Sequence, residues 1–207
     1  YALRMGLAGV YHEDPFETWG HFQLKKDLFP NGREGFKRCV EKAHAKGLRL
    51  GFHTLTTFIT TNDPYISPVP DKRLAFAGST GLTESISADA SEIKVNADQP
   101  FTLNSDLNSV LVDDEIIRFS SVSGSGPFIL SGCTRGAFGT QRSAHAAGKT
   151  ISRLIDHPYN VFFPDWDLQK EIAGNIARFI NETGSDQMDF DGHEGTYANG
   201  MGDLSFN

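Results

Sequence analysis

The sequence is poor in cysteine, contains no long apolar run and has no excess of basic residues. Its two cysteines, Cys39 and Cys133, are too few for a disulfide framework in a chain of 207 residues. No apolar run approaches the ~20 residues that a membrane-spanning helix needs. Nineteen Lys and Arg residues against 26 Asp and Glu residues leave a net charge of −7. We therefore expect neither a nucleic acid nor a membrane as a partner.

What is present is enough for a packed core, since 39% of the residues are apolar and 11% are aromatic. Three stretches, residues 2–11, 48–55 and 187–191, are predicted to be buried strands. Two amphipathic helices, roughly residues 33–46 and 168–183, are predicted between them. This alternation of strand and helix predicts a parallel α/β sheet.

A long stretch of different character, residues 67–156, interrupts this pattern. Short alternating segments such as Ile93 to Val95 are separated by Ser/Gly turns, and the stretch is too long for a plain loop. We predict an inserted small all-β domain. The predicted domains are therefore residues 1–66, the insert at 67–156, and residues 157–207, which continue the first part.

Side chains that bind sugars or move protons follow each predicted strand. Parallel strands place their carboxyl ends, and usually the functional site, at one edge of the sheet. The candidate substrate-binding residues are Tyr11, His12, Glu13, Asp14, Trp19, His53 and His193, and the candidate catalytic residues are Asp189, Asp191 and Glu194.

The third strand end carries the sharpest chemical signal. Asp189 and Asp191 are two residues apart, so they share one face of a strand. Glycoside hydrolysis uses two carboxyl groups, one of them as nucleophile or base. Asp189 could instead have a structural role, and Glu194 could be a second catalytic carboxylate or a solvated loop residue.

The histidines and the tryptophan leave alternatives open. His53 could bind a substrate hydroxyl or be a satisfied interior histidine. His12 and His193, with nearby carboxylates, could bind a divalent metal, but their spacing matches no compact metal motif. We expect no cofactor, with a divalent metal as the alternative. Trp19 could stack on a sugar or pack beneath a loop.

One set of motifs resembles a known family. Phe29-Pro30-Asn31-Gly32, a helix ending in residues 43–47, and the strand at 48–53 are similar to glycoside hydrolases of the α-galactosidase (clan D) type. The similarity covers roughly residues 1–60 and 165–195. It implies part of a (β/α)8 TIM barrel, with about three strands visible, interrupted by the inserted all-β domain.

The same resemblance implies roles for individual residues. Asp191 would be the nucleophile of a retaining mechanism, Asp189 would replace a substrate-binding lysine, and Glu13 and Asp14 would correspond roughly to an acidic pair that binds substrate. The general acid/base would lie on a later strand, outside this sequence. We therefore expect the chain to be a segment of a longer protein and incomplete as an enzyme.

Two segments of the insert, residues 112–118 and 132–140, resemble a small β module of polysaccharide-acting and phage-tail proteins. Asp113, Asp114 and Glu115 are predicted to form a hairpin turn rather than a site. Arg135 and Phe138 could bind glycan, but we favour a structural role for both.

The leading hypothesis is a glycosidase that cleaves a polysaccharide or an oligosaccharide. One alternative is a metal-dependent hydrolase that uses His12, Asp189, Asp191 and His193. The other is a non-catalytic glycan-binding or adhesion protein in which the β insert is the working part. The substrate class alone favours an extracellular or periplasmic location, and the sugar and linkage stay open.

Overall fold

The computed structural model describes residues 1–102, 105–192, 195–198 and 200. Within these residues it contains strands Gly9–His12 (β1), Arg49–Leu55 (β2), Ile59–Thr60 (β3), Phe76–Gly81 (β4), Glu92–Val95 (β5), Ser109–Val112 (β6), Glu115–Arg118 (β7), Ser121–Ser123 (β8), Phe128–Ser131 (β9), Thr150–Leu154 (β10), Asp156–His157 (β11), Val161–Phe162 (β12) and Gln187–Asp191 (β13). The α-helices are Gly32–His44 (α1), Trp166–Thr183 (α2) and Gly195–Ala198 (α3).

The two long helices form where the apolar periodicity predicts them, to within two residues at each end. Helix α1 buries Phe36 and Val40. Asp165 caps the start of helix α2, and its carboxylate accepts a hydrogen bond from the Leu168 amide at 2.9 Å. Gly184 caps the end of the helix and adopts a left-handed φ of 70°. Both predicted helices are therefore confirmed.

A three-stranded parallel sheet has the order β1-β2-β13. The predicted buried strand at 48–55 is confirmed by β2. The strand at 187–191 is confirmed by β13, but its predicted burial is wrong, because four of its five residues are exposed. The predicted strand at 2–11 is only half right, because Ala2–Met5 is a short 3-10 helix and the strand begins at Gly9. Gly6, with a left-handed φ of 74°, ends that helix.

The fold class expected from the sequence, part of a TIM barrel interrupted by a β domain, is wrong. Three of the four sheets among the described residues are antiparallel: β4-β10-β6-β7, β5-β9-β8 and β11-β12-β3. They hold ten of the 13 strands, so the described fold is β-rich. The physical reason is the two-residue apolar alternation of the middle segment, which favours hairpins over strand–helix–strand units. The domain boundaries stay a prediction.

The largest core cluster joins parts of the chain that are far apart in sequence. Phe52 of β2 and Phe179 of α2 pack edge to face at 5.2 Å, and Phe16 contacts both rings. Leu111 and Ile116, from the antiparallel region, belong to the same cluster. A second cluster fills the antiparallel sheets and includes Ile93, Val95, Val110, Ile117, Leu130 and Ile151.

Both cysteines are free thiols. The helices of the described part of the chain are too short or too polar to cross a membrane.

Replacing Gly51 by alanine is expected to lower the free energy of unfolding by about 3 kcal/mol, because the added methyl overlaps backbone that no rotamer change can move. Gly51 lies in β2, the central strand of the parallel sheet, opposite Gln187. A Cβ there would lie 3.0 Å from the Gln187 carbonyl carbon and still closer to its oxygen.

Gly174→Ala is the matched control, because Gly174 lies on the exposed side of α2 with open space around its Cβ position. That variant should gain up to about 1 kcal/mol from helix propensity. Urea denaturation measures both variants. A Gly51→Ala protein as stable as the wild type would contradict the close approach of β13 to β2.

Candidate active site

A cleft of about 270 Å³ lies at the carboxyl ends of the three parallel strands. Its lining consists of Glu13, Asp14, Trp19, His53, Leu55, Tyr159 and Asp191. Five of these seven residues are among the site candidates that the sequence analysis names. The structure therefore brings together acidic and aromatic side chains from three separate segments of the chain.

The parallel topology explains this convergence. Leu55 is the last residue of β2 and is the register partner of Asp191, the last residue of β13. Glu13 and Asp14 directly follow the last residue of β1. Parallel strands end at the same edge of a sheet, so the segments that follow them share one opening.

The turn after β13 holds the Asp191 side chain in place. Its Oδ1 accepts a hydrogen bond from the Gly192 amide at 2.8 Å. The Gly192 carbonyl in turn accepts a hydrogen bond from the buried Thr57 hydroxyl at 3.1 Å. Gly192 has a left-handed φ of 77° and packs so closely on Phe58 that a Cβ would overlap that ring. Asp191 therefore projects from a fixed backbone.

Asp189 contacts a histidine rather than lining the cleft. It is the register partner of His53, and its Oδ2 lies 3.0 Å from His53 Nδ1. When Nδ1 carries the hydrogen and donates it to Asp189, His53 Nε2 is left as an acceptor. Asp189 thus orients a residue of the cleft, and Asp191 is the β13 carboxylate that lines it.

The acidic pair after β1 lies in the cleft, and the two residues before it do not line it. Asp14 forms an ion pair with Lys25 Nζ, and its amide donates to His12 Nδ1 at 3.2 Å. The His12 ring packs edge to face on Phe29, with centroids 5.7 Å apart. Tyr11 is exposed on β1. His193 and Glu194 lie outside the described residues.

Two aromatic side chains line the same cleft. Trp19 is partly buried, and its backbone exchanges hydrogen bonds with Thr60 at 3.1 and 3.2 Å. Sequence reasoning missed Tyr159, which is 59% exposed and packs against His157 with ring centroids 4.6 Å apart. Tyr159 lies in the short turn between β11 and β12. The signal that the sequence offers for it is an aromatic residue directly after Pro158, a combination typical of a turn.

Within the residues that the structure describes, no three His, Cys, Asp or Glu side chains are grouped so that they could hold a metal ion. Of the four proposed metal ligands, only Asp191 lines the cleft, and His193 is not among the described residues.

The β-module residues have structural partners. Arg135 donates to both carboxylate oxygens of Glu115, at 2.9 and 2.7 Å. Phe138 packs on Phe162 with centroids 5.4 Å apart. Val112 and Glu115 are register partners, so Asp113 and Asp114 form the predicted β6–β7 hairpin turn. The prediction is wrong for Glu115, which is the first residue of β7.

No protein-family model matches the chain, and no curated protein matches it. A solved structure described as a "Family GH13_31 enzyme" is similar to the chain, with 11% sequence identity and a TM-score of 0.45. The match covers 93% of this chain and 30% of that one, so this chain spans less than a third of its length. This weak similarity does not identify a family, and the α-galactosidase-type family is not confirmed.

Proposed function

We propose that the cleft binds a carbohydrate and that Asp191 takes part in hydrolysing a glycosidic bond there. The observation that carries this proposal is that Asp191 and the pair Glu13 and Asp14 line one cleft together with two aromatic side chains. Glycosidases use carboxylates beside the anomeric carbon, and aromatic rings contact the apolar faces of sugar rings.

Each residue has a role in this proposal. The Asp191 carboxylate attacks the anomeric carbon as its bond to the leaving glycosidic oxygen breaks, or stabilises the positive charge that develops there. A carboxylic acid protonates the leaving oxygen in this reaction. Glu13 and Asp14 accept hydrogen bonds from sugar hydroxyls, and the ion pair with Lys25 holds the Asp14 side chain in place. His53 contacts a further hydroxyl through Nε2. A retaining mechanism belongs to the proposal because the resemblance to α-galactosidase-type hydrolases implies it, and an extracellular or periplasmic location because the substrate class favours it.

The test is sugar release by the full-length protein from a panel of plant, algal and host glycans. Release of reducing sugar supports a hydrolase. Saturable binding without release, even with added divalent metals, would favour the glycan-binding alternative and overturn the catalytic proposal. Release that depends on a divalent metal and stops on chelation would favour the metal-dependent alternative.

Tyr159→Ala should raise KM for the released glycan about tenfold while changing kcat little, because the ring contributes binding area rather than reacting atoms. Tyr1→Ala is the matched control, since Tyr1 is fully exposed and is not among the residues that line the cleft. Initial rates across a range of glycan concentrations separate the two constants. An unchanged KM in Tyr159→Ala would remove Tyr159 from the substrate site.

A further inference from the structure

A second cleft, of about 330 Å³, lies in the antiparallel region of the molecule. It opens between strands β8 and β9 and the segment that contains the short helix Gln99–Phe101. Its lining includes the phenylalanines Phe101, Phe119 and Phe128 and the polar residues Asp98, Asn108, Ser121 and Ser123. None of these residues belongs to the cleft that contains Asp191.

The floor of this second cleft is aromatic. Phe101 and Phe119 are buried, with ring centroids 6.0 Å apart in an edge-to-face arrangement. Phe128, from β9, is partly buried beside them. Phe128 is therefore the ring that the cleft exposes, and the buried Phe101 and Phe119 form the apolar packing around it. A partly exposed, fixed ring can contact the C–H face of a sugar without losing side-chain freedom on binding.

The rim carries hydrogen-bonding groups that the described part of the chain does not use. Ser121 and Ser123 lie on the exposed side of β8, and their hydroxyls make no hydrogen bond within the described residues. The Asn108 Oδ1 accepts from Arg153 and Ser105, both at 3.3 Å, which leaves its amide hydrogens for a ligand. Hydroxyl, amide and carboxylate groups above an apolar floor are what a polyhydroxylated ligand requires.

The charge of the residues that line this cleft favours uncharged over anionic polyhydroxylated ligands. Among the described residues that line the cleft, Asp98 is the one charged residue and none is Lys or Arg. The nearby Arg153 guanidinium lies over the Phe119 ring at 5.4 Å, but it is buried and bound to the Ser109 carbonyl and to Asp156. A carboxylate with no cation beside it disfavours sulfated or uronate sugars.

We propose that this cleft is a second, non-catalytic binding site for uncharged saccharides. Asp98 and the Ser121 and Ser123 hydroxyls would hold sugar hydroxyls, and the partly exposed Phe128 ring would contact an apolar sugar face. This inference goes beyond the proposed hydrolysis and does not depend on it, because the two clefts share no residue.

Ser123→Trp tests the site by filling the cleft. Binding of short neutral oligosaccharides of glucose, xylose, mannose and galactose is measured by calorimetry in the full-length protein carrying Asp191→Asn. Adding Ser123→Trp should weaken the association constant at least about tenfold for the sugar that binds there. Ser91→Trp, at an exposed serine outside the cleft, is the matched control and should leave the constant unchanged.

Asp98→Ala is a second test, because this small substitution is less disruptive to folding than Ser123→Trp. It should weaken saccharide binding to the second cleft several-fold. Sugar release by Ser123→Trp in the otherwise wild-type protein should keep the wild-type rate for small soluble substrates. Binding that is insensitive to both substitutions, or confined to acidic saccharides or peptides, would overturn the second site. Absence of sugar release would instead overturn only the proposed hydrolysis.

Discussion

The Asp191→Asn variant should lose at least about a thousandfold of the sugar-release activity. The substitution keeps the size of the side chain, and the asparagine carbonyl can still accept the hydrogen bond from the Gly192 amide. What it removes is the negative charge that lines the cleft. A neutral amide neither attacks an anomeric carbon nor stabilises the positive charge of the transition state.

Asp189→Asn gives the sharpest comparison, because the two aspartates are two residues apart on the same strand. Asp189 reaches the cleft through its contact with His53, so we expect a loss of only about tenfold. Initial rates on the glycan identified by the panel measure both variants. An Asp191→Asn protein with wild-type activity, or one no worse than Asp189→Asn, would remove Asp191 from the reaction centre.

The Glu115→Gln variant should be less stable than the wild type by about 3–5 kcal/mol, because it removes one partner of a buried ion pair. Glu115 and Arg135 are both buried, and the Glu115 carboxylate also accepts from the Gly136 amide at 2.8 Å and the Ser143 amide at 3.1 Å. His145 Nε2 lies 2.8 Å from the same carboxylate. In the variant, the NH2 group of the glutamine side chain faces N–H groups that donate to the carboxylate in the wild type. The Arg135 guanidinium then loses its charged partner.

Glu84→Gln is the control for Glu115→Gln, since Glu84 pairs with Lys94 at 3.2 Å on the exposed surface. That pair should contribute less than about 1 kcal/mol. Urea denaturation at neutral pH measures both variants. Equal stabilities for the two would contradict the buried network.

The Glu115 carboxylate should also affect how the free energy of unfolding changes with pH in the acid range. Burial opposes ionisation of Glu115, but hydrogen bonds from Arg135, His145 and two backbone amides outweigh it and lower the pKa of Glu115 below its usual value. The ionised Glu115 carboxylate therefore contributes fully to the free energy of unfolding above about pH 4.3, the usual pKa of a glutamate. This contribution is lost as the pH falls through the lower pKa that Glu115 has in the folded protein. The stability gap between wild type and Glu115→Gln should narrow over that range.

Local elements could be predicted from the sequence because local forces determine them. The apolar stripe of α2, with Leu168 and Ile172, and the glycine at its end required no tertiary information. The strand predicted over residues 2–11 is partly wrong because Leu3 and Leu7 are apolar but exposed. Apolar character alone does not show that a residue is buried. The predicted fold class is wrong for a related reason. Three parallel strands with helices are consistent with several architectures, and the family resemblance does not show which strands pair.

The candidate site was predictable where it depended on strand ends and not where it depended on tertiary packing. Glu13 and Asp191 were found because parallel strands end together. Tyr159 reaches the same cleft from a turn that no strand-end argument covers. The contact between Asp189 and His53 also required the register of β2 and β13, which the sequence alone does not reveal.

The pairing of β2 with β13 also has a consequence for the order of folding. His53 and Asp189 are 136 residues apart in sequence, and the entropic cost of joining two segments increases with the length of the loop between them. The antiparallel region between them brings Ala75 and Ile155 together, with the Ile155 amide donating to the Ala75 carbonyl at 3.0 Å. Once that contact exists, the loop that remains to be closed is much shorter. We therefore expect nascent chains to form the antiparallel sheets first and to assemble the acidic cleft among their last steps.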